Sequence, residues 1–192
     1  MNQDSTCQQL VYYAIKAYQR GLVRGSGGNI SARLNPGQLM VITASGISLG
    51  ETNLDNLVTL NIETRDWIPN GNLRPSKESW HIDIMKLRPD VGAIVHVHPP
   101  YAVAFTVKGM EIPMLTDAGF KQKPIPRIPY FPGGSDNLKE KIIETIHQNP
   151  DCQTIILEKH GIITMAPDVA SAYNLADLIE ELAIVAYLSK NL

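Results

Sequence analysis

His96 and His98 stand two apart at the end of the apolar run Ala93-Ile94-Val95, and a third histidine follows about sixty residues later in Leu157-Glu158-Lys159-His160-Gly161. Alternate residues of a strand project from one face, so His96 and His98 can present imidazole nitrogens to one point. A third imidazole from another strand completes an open three-histidine site, the pattern of a catalytic zinc that keeps one position for substrate. An HxH pair alone reads equally well as two histidines packed in a core or lying on a surface. His160 in a similar strand-then-glycine setting, and Glu78 just ahead of a helix-like segment leading to the HxH strand, favour the metal site. His81 and His147 have nothing near them that converges on a site and read as structural.

Gly25-Ser26-Gly27-Gly28-Asn29, Ala44-Ser45-Gly46 and Ser76-Lys77 form a second set. An anionic ligand without strong positive charge around it must be held largely by backbone N–H groups and hydroxyls. These three places supply such donors, and Lys77 brings the set's formal charge. Each cluster alone is also an ordinary turn sequence. Ser76-Lys77 lies beside Glu78 at a predicted helix start, which ties a phosphate site to the metal site.

The elements that must position these groups follow from periodicity and punctuation. Helical spacing of Leu10, Val11, Ala14, Ile15 and Tyr18 predicts a helix over 5–20, capped by Ser5 and ended by Gly21. Strands are predicted at 30–34 and 39–43, and one or two more within 56–68. A helix at 76–87 leads to the ligand strand at 93–98. A short helix at 101–107, an extended piece at 112–115 and an irregular proline-rich connection at 121–134 come next. A helix at 136–147 capped by Ser135 or Asp136, strands at 154–157 and 162–165, and a long helix at 167–189 close the chain. Neighbouring runs too close for helical crossovers favour an α/β fold in which a mostly antiparallel central sheet lies within three layers. Residues 1–192 read as a single domain.

Composition excludes several roles. The net charge is −2 and the pI near 6.2, with no basic blocks, so nucleic acid is not an expected partner. No apolar run is long enough to span a membrane and no leader is evident, so a soluble cytoplasmic protein is expected. Cys7 and Cys152 lie far apart and outside any CxxC pattern, as expected of reduced thiols.

Gly27-Gly28-Asn29-Ile30-Ser31, Thr43-Ala44-Ser45-Gly46, Pro75-Ser76-Lys77-Glu78, Arg88-Pro89-Asp90 running on to His96-Val97-His98, and Lys159-His160-Gly161 are spread over essentially the whole chain. Through them the chain resembles the class II aldolase/adducin family. The resemblance implies a three-layer α/β/α sandwich assembled as a homotetramer with sites near subunit interfaces. It implies one Zn2+ per subunit on His96, His98 and His160. It places the substrate phosphate on Ser26, Gly28, Asn29, Ser45, Gly46, Ser76 and Lys77, and makes Glu78 the catalytic acid/base. The implied activity is cleavage of a (deoxy)ketose 1-phosphate, such as L-fuculose 1-phosphate or a shorter relative, into dihydroxyacetone phosphate and an aldehyde. A dehydratase, an oxo-acid-phosphate decarboxylase, a 4-epimerase and a non-catalytic adducin-like module stay open as alternatives. The chain departs from the aldolase pattern in having Asp117 about where a tyrosine follows the Ile-Pro segment, and in lacking a tyrosine-bearing C-terminal tail. Tyr101 and Tyr130 are candidate substitutes.

Overall fold

Runs rich in Ile, Val and Leu assemble one seven-stranded sheet in the order β3-β2-β1-β4-β7-β6-β5. The computed structural model describes residues 3–34, 37–76, 78–122, 125–190 and 192, with only the backbone at Gln3, Asp4 and Glu78. The strands are β1 (Asn29–Leu34), β2 (Leu39–Thr43), β3 (Leu57–Asn61), β4 (Ala93–Val97), β5 (Arg127–Ile128), β6 (Thr154–Leu157) and β7 (Gly161–Ala166). Every pairing is antiparallel except β5 with β6. The helices are α1 (Gln3–Gln19), α2 (Glu78–Leu87), α3 (Pro100–Val107), α4 (Asp117–Phe120), α5 (Asp136–Gln148) and α6 (Val169–Lys190).

Strand alternation sorts the core into two halves. Ile30, Ala32, Ala93, Val95 and Val97 pack with α1, α3 and α6 on one face. Met40, Ile42, Ile94, Ile155 and Ile163 pack with α2 and α5 on the other. All five residues of β4 are buried, as expected of a strand covered on both sides. The result is the three-layer α/β/α sandwich with a mostly antiparallel sheet.

Local chemistry sets the element ends. α1 closes as the Leu22 N–H donates to the Ala17 carbonyl at 3.0 Å and the Gly21 N–H to Tyr18 at 3.1 Å, a Schellman ending. Its start differs from expectation, since the helix is already under way at Gln3 and Ser5 lies inside it. Ser135 is the cap of α5, its hydroxyl accepting from the Leu138 N–H at 3.2 Å.

Three further differences have physical causes. Within 56–68 only β3 is a strand. The Asn61 side chain accepts from the Glu63 and Thr64 N–H groups at 2.8 and 3.0 Å, turning the chain so that Trp67 returns to a single bridge with Leu60. The piece at 112–115 pairs with no strand among the described residues. The proline-rich connection holds the two-residue β5, which α5 links to β6 as a parallel crossover, and it follows α4, capped by the Thr116 hydroxyl.

Candidate active site

Asn29 of β1 is the register partner of His96 of β4, so the end of the Gly/Ser loop and the first histidine arrive side by side. His98, just beyond β4, shares the sheet face of His96, on the α2/α5 side. His160 comes from the tight turn between β6 and β7, where Leu157 pairs with Gly161. The possible ligand atoms of the three histidines all lie within 4.8 Å of one another.

The hydrogen bonds select the nitrogens. His96 Nδ1–H donates to the Ile162 carbonyl at 2.9 Å, which leaves Nε2 with its lone pair facing His98 Nε2, 3.2 Å away. A carbonyl that fixes the tautomer of a ligating imidazole is the usual outer support of a metal site. Burial pushes the His96 ionisation well down, and the neighbouring imidazoles add to this; burial and His160 bring His98 down to about 4. Both rings are therefore neutral near pH 7, the state a metal needs. Three imidazoles converging on one point, His96 and His98 among them held neutral, fit a divalent ion such as zinc.

Close approach explains two glycines. A Cβ on Gly161 would lie 2.3 Å from the Val97 carbonyl oxygen and 2.7 Å from His98 Cδ2. Gly28 has φ +71°, and a Cβ there would meet the His96 carbonyl oxygen at 2.8 Å. The turn carrying His160 instead places a non-glycine residue, Lys159, at φ +59°. That conformation costs on the order of 1–3 kcal/mol. The Lys159 N–H donates to the Thr106 hydroxyl of α3 at 2.9 Å, which helps hold the turn.

A cavity of about 140 Å³ joins the parts: Ser26, Gly28, Asn29, Ser76 and the three histidines line it together with Gly133 and Gly134. Ser45 and Gly46 are exposed and lie beside it, because an Ala44–Pro75 bridge runs their loop along the 74–76 segment. The Gly27, Ser45 and Ser76 N–H groups donate to the Arg24, Arg74 and Thr43 carbonyls. Those three amides close the loops on themselves, while Ser26, Ser76 and Asn29 bring two hydroxyls and a side-chain amide to the cavity wall. Lys77 and the Glu78 side chain lie outside the described residues; the Glu78 backbone opens α2. Tyr130 and Tyr101 are both outside the cavity wall, and the Tyr101 ring packs on Tyr187.

His81, which reads as structural from the sequence, bonds to the Asn29 that lines the cavity. It is fully buried, stacked on Trp80 at 3.8 Å, and bonded to both Asn29 and Ser31. Its place three residues after Glu78, on one face of the same helix, was the available signal.

A model of the Class II Aldolase and Adducin N-terminal domain matches residues 8–187. L-fuculose phosphate aldolase of Methanococcus maripaludis is 34% identical over 180 residues, covering 91% of this chain and 92% of its own. 5-Deoxy-D-ribulose 1-phosphate aldolase of Bacillus thuringiensis serovar kurstaki is 30% identical over 187 residues, covering 96% and 85%. Among solved structures, an L-fuculose 1-phosphate aldolase superposes with a TM-score of 0.84 at 26% identity, covering 100% of this chain and 89% of that one.

Proposed function

The chain belongs to the class II aldolase and adducin family, and from this premise we propose that it is a zinc-dependent aldolase of a phosphorylated ketose. The observation that carries the reading is the convergence of three imidazoles beside the Ser26–Asn29 loop and Ser76 in one cavity. The aldolase names of the two relatives support a substrate such as L-fuculose 1-phosphate or a shorter deoxyketose 1-phosphate.

His96, His98 and His160 hold the ion, which when bound supplies Lewis acidity toward substrate oxygens. Ser26, Gly28, Asn29 and Ser76 take the phosphate inside the cavity, with Ser45, Gly46 and Lys77 at its border. Anchoring the phosphate there fixes the reacting carbons next to the histidines, converting a collision into a positioned step. Glu78, at the first residue of α2, takes the proton from the carbon beside the carbonyl and returns it in the reverse direction.

The test is hydrogen–deuterium exchange at the hydroxymethyl carbon of dihydroxyacetone phosphate, followed by NMR with zinc-loaded protein. Exchange by the parent, together with at least a hundredfold slower exchange by Glu78→Gln at unchanged zinc content, is expected. No exchange by zinc-loaded parent protein overturns the aldolase reading. The proposal includes a homotetramer, supported by Leu115, Phe120 and Tyr130, which are exposed within one stretch. Light scattering that gives a monomer at micromolar concentration overturns that part.

A further inference from the structure

We infer that His81 is a positioning residue that fixes the Asn29 amide with its NH2 group toward the anion cradle. The inference rests on the proposed phosphate site. Asn29 Oδ1 lies 2.6 Å from His81 Nε2, and His81 Nδ1 lies 2.7 Å from the Ser31 hydroxyl. An amide oxygen only accepts, so Nε2 carries the ring proton and donates it. A neutral ring then has its lone pair on Nδ1, which accepts from the Ser31 hydroxyl. Asn29 Nδ2 is left on the other side, 3.5 Å from the Ser76 hydroxyl and at the cavity wall.

The reverse arrangement is self-consistent in hydrogen bonds and wrong for an anion. With the amide turned over, Nδ2 would donate to Nε2, Nδ1–H would donate to Ser31, and the Asn29 oxygen would face the phosphate. The tautomer of His81 and the polarity of the cradle are therefore one choice. Solvent cannot relax it, because Ser31, His81 and Asn29 are all buried and Trp80 covers the imidazole face. Burial also holds the His81 ionisation down to about 3, so the ring stays neutral wherever the protein is folded near neutral pH.

Inorganic phosphate is titrated into zinc-loaded parent, His81→Asn and His81→Gln proteins, with zinc content measured in each. An Asn amide reaches only the Nδ1 position, toward Ser31, whereas a Gln amide reaches the Nε2 position and can still donate to Asn29. His81→Asn is expected to weaken phosphate binding by about tenfold or more, while His81→Gln retains most of it. Zinc content should not change in either variant. Parent-like binding by His81→Asn, or equal loss in both variants, overturns the inference and leaves the phosphate site standing. A parent that binds no phosphate overturns the site and the inference with it. Long-range proton–nitrogen correlation on the parent is independent of variant folding. Protonation at His81 Nε2 is expected, and protonation at Nδ1 overturns the assignment.

Discussion

At the scale of residues, the candidate site depends on imidazoles kept neutral and aimed by their surroundings. His96 is aimed by the Ile162 carbonyl and His98 is packed against Gly161. Removing a ligand leaves two donors, too few for a tight site, so His96→Ala or His160→Ala is expected to empty the proposed metal site. Retained metal in both, by elemental analysis after dialysis, would mean another ligand set. Histidines held neutral by buried and half-buried surroundings also set an acid limit on stability. His81 ionises at about 3 and His98 at about 4 in the folded chain, below the ordinary value of 6.5. Between those values the unfolded chain binds protons that the folded chain refuses. Their contribution is therefore complete above about pH 6.5 and is lost as pH falls toward 3–4. Urea midpoints of metal-free protein should fall over that window. His81→Gln should flatten the slope by up to about 1.4 kcal/mol per pH unit, one proton's worth. An unchanged slope would place the His81 proton uptake elsewhere.

At the scale of elements, α3 supports the site from behind. It starts just after His98, and its first-turn Tyr101 and Ala102 N–H groups donate to the buried Glu180 carboxylate of α6 at 3.0 and 2.9 Å. At its other end Thr106 accepts from Lys159, so one short helix links the His98 end of β4 to the His160 turn. Thr106→Val keeps the shape and leaves a Lys159 N–H without that acceptor. It should cost about 1–3 kcal/mol and weaken metal binding, measured by chemical denaturation and competition with a chelator. Equal stability and affinity would mean that the turn holds without α3. The same scale shows what the sequence could convey. Strong periodicity made β1, β2, β4, β6, β7, α5 and α6 legible, and the HxH spacing with a strand-bounded His160 conveyed the histidine cluster. β5 has two residues and no period to read. The left-handed Lys159 carries no glycine to announce it. His81 looked structural because its partners Asn29 and Ser31 lie about fifty residues away, joined to it only through the packing of α2 on β1.

At the scale of the whole molecule, two hydrophobic half-cores clamp the sheet, and the candidate site occupies one end of it between α2 and α5. The 26–29 loop, Ser76, the His96–His98 pair, Gly133–Gly134 and His160 lie far apart along the chain, so the site exists only when the sheet is complete. Metal binding should therefore stabilise the whole fold. An ion present at a thousand times its dissociation constant adds about 4 kcal/mol. A domain of this size gains roughly 2–4 °C per kcal/mol, so stripping the ion should lower Tm by roughly 10 °C. A Tm that does not respond to chelation argues against tight binding at this site.

His98 and His160 are separated by about sixty residues, and in the proposed metal-bound form one ion joins them. Such an ion is a reversible cross-link as much as a reagent. To keep all three donors after unfolding, the chain would have to close a loop of that length, at an entropic cost of about 4 kcal/mol. Of the three, the denatured chain offers cheaply only the neighbouring His96 and His98. Release of the ion should accordingly track collapse of the entire sheet and stay silent while the ends of α1 and α6 fray.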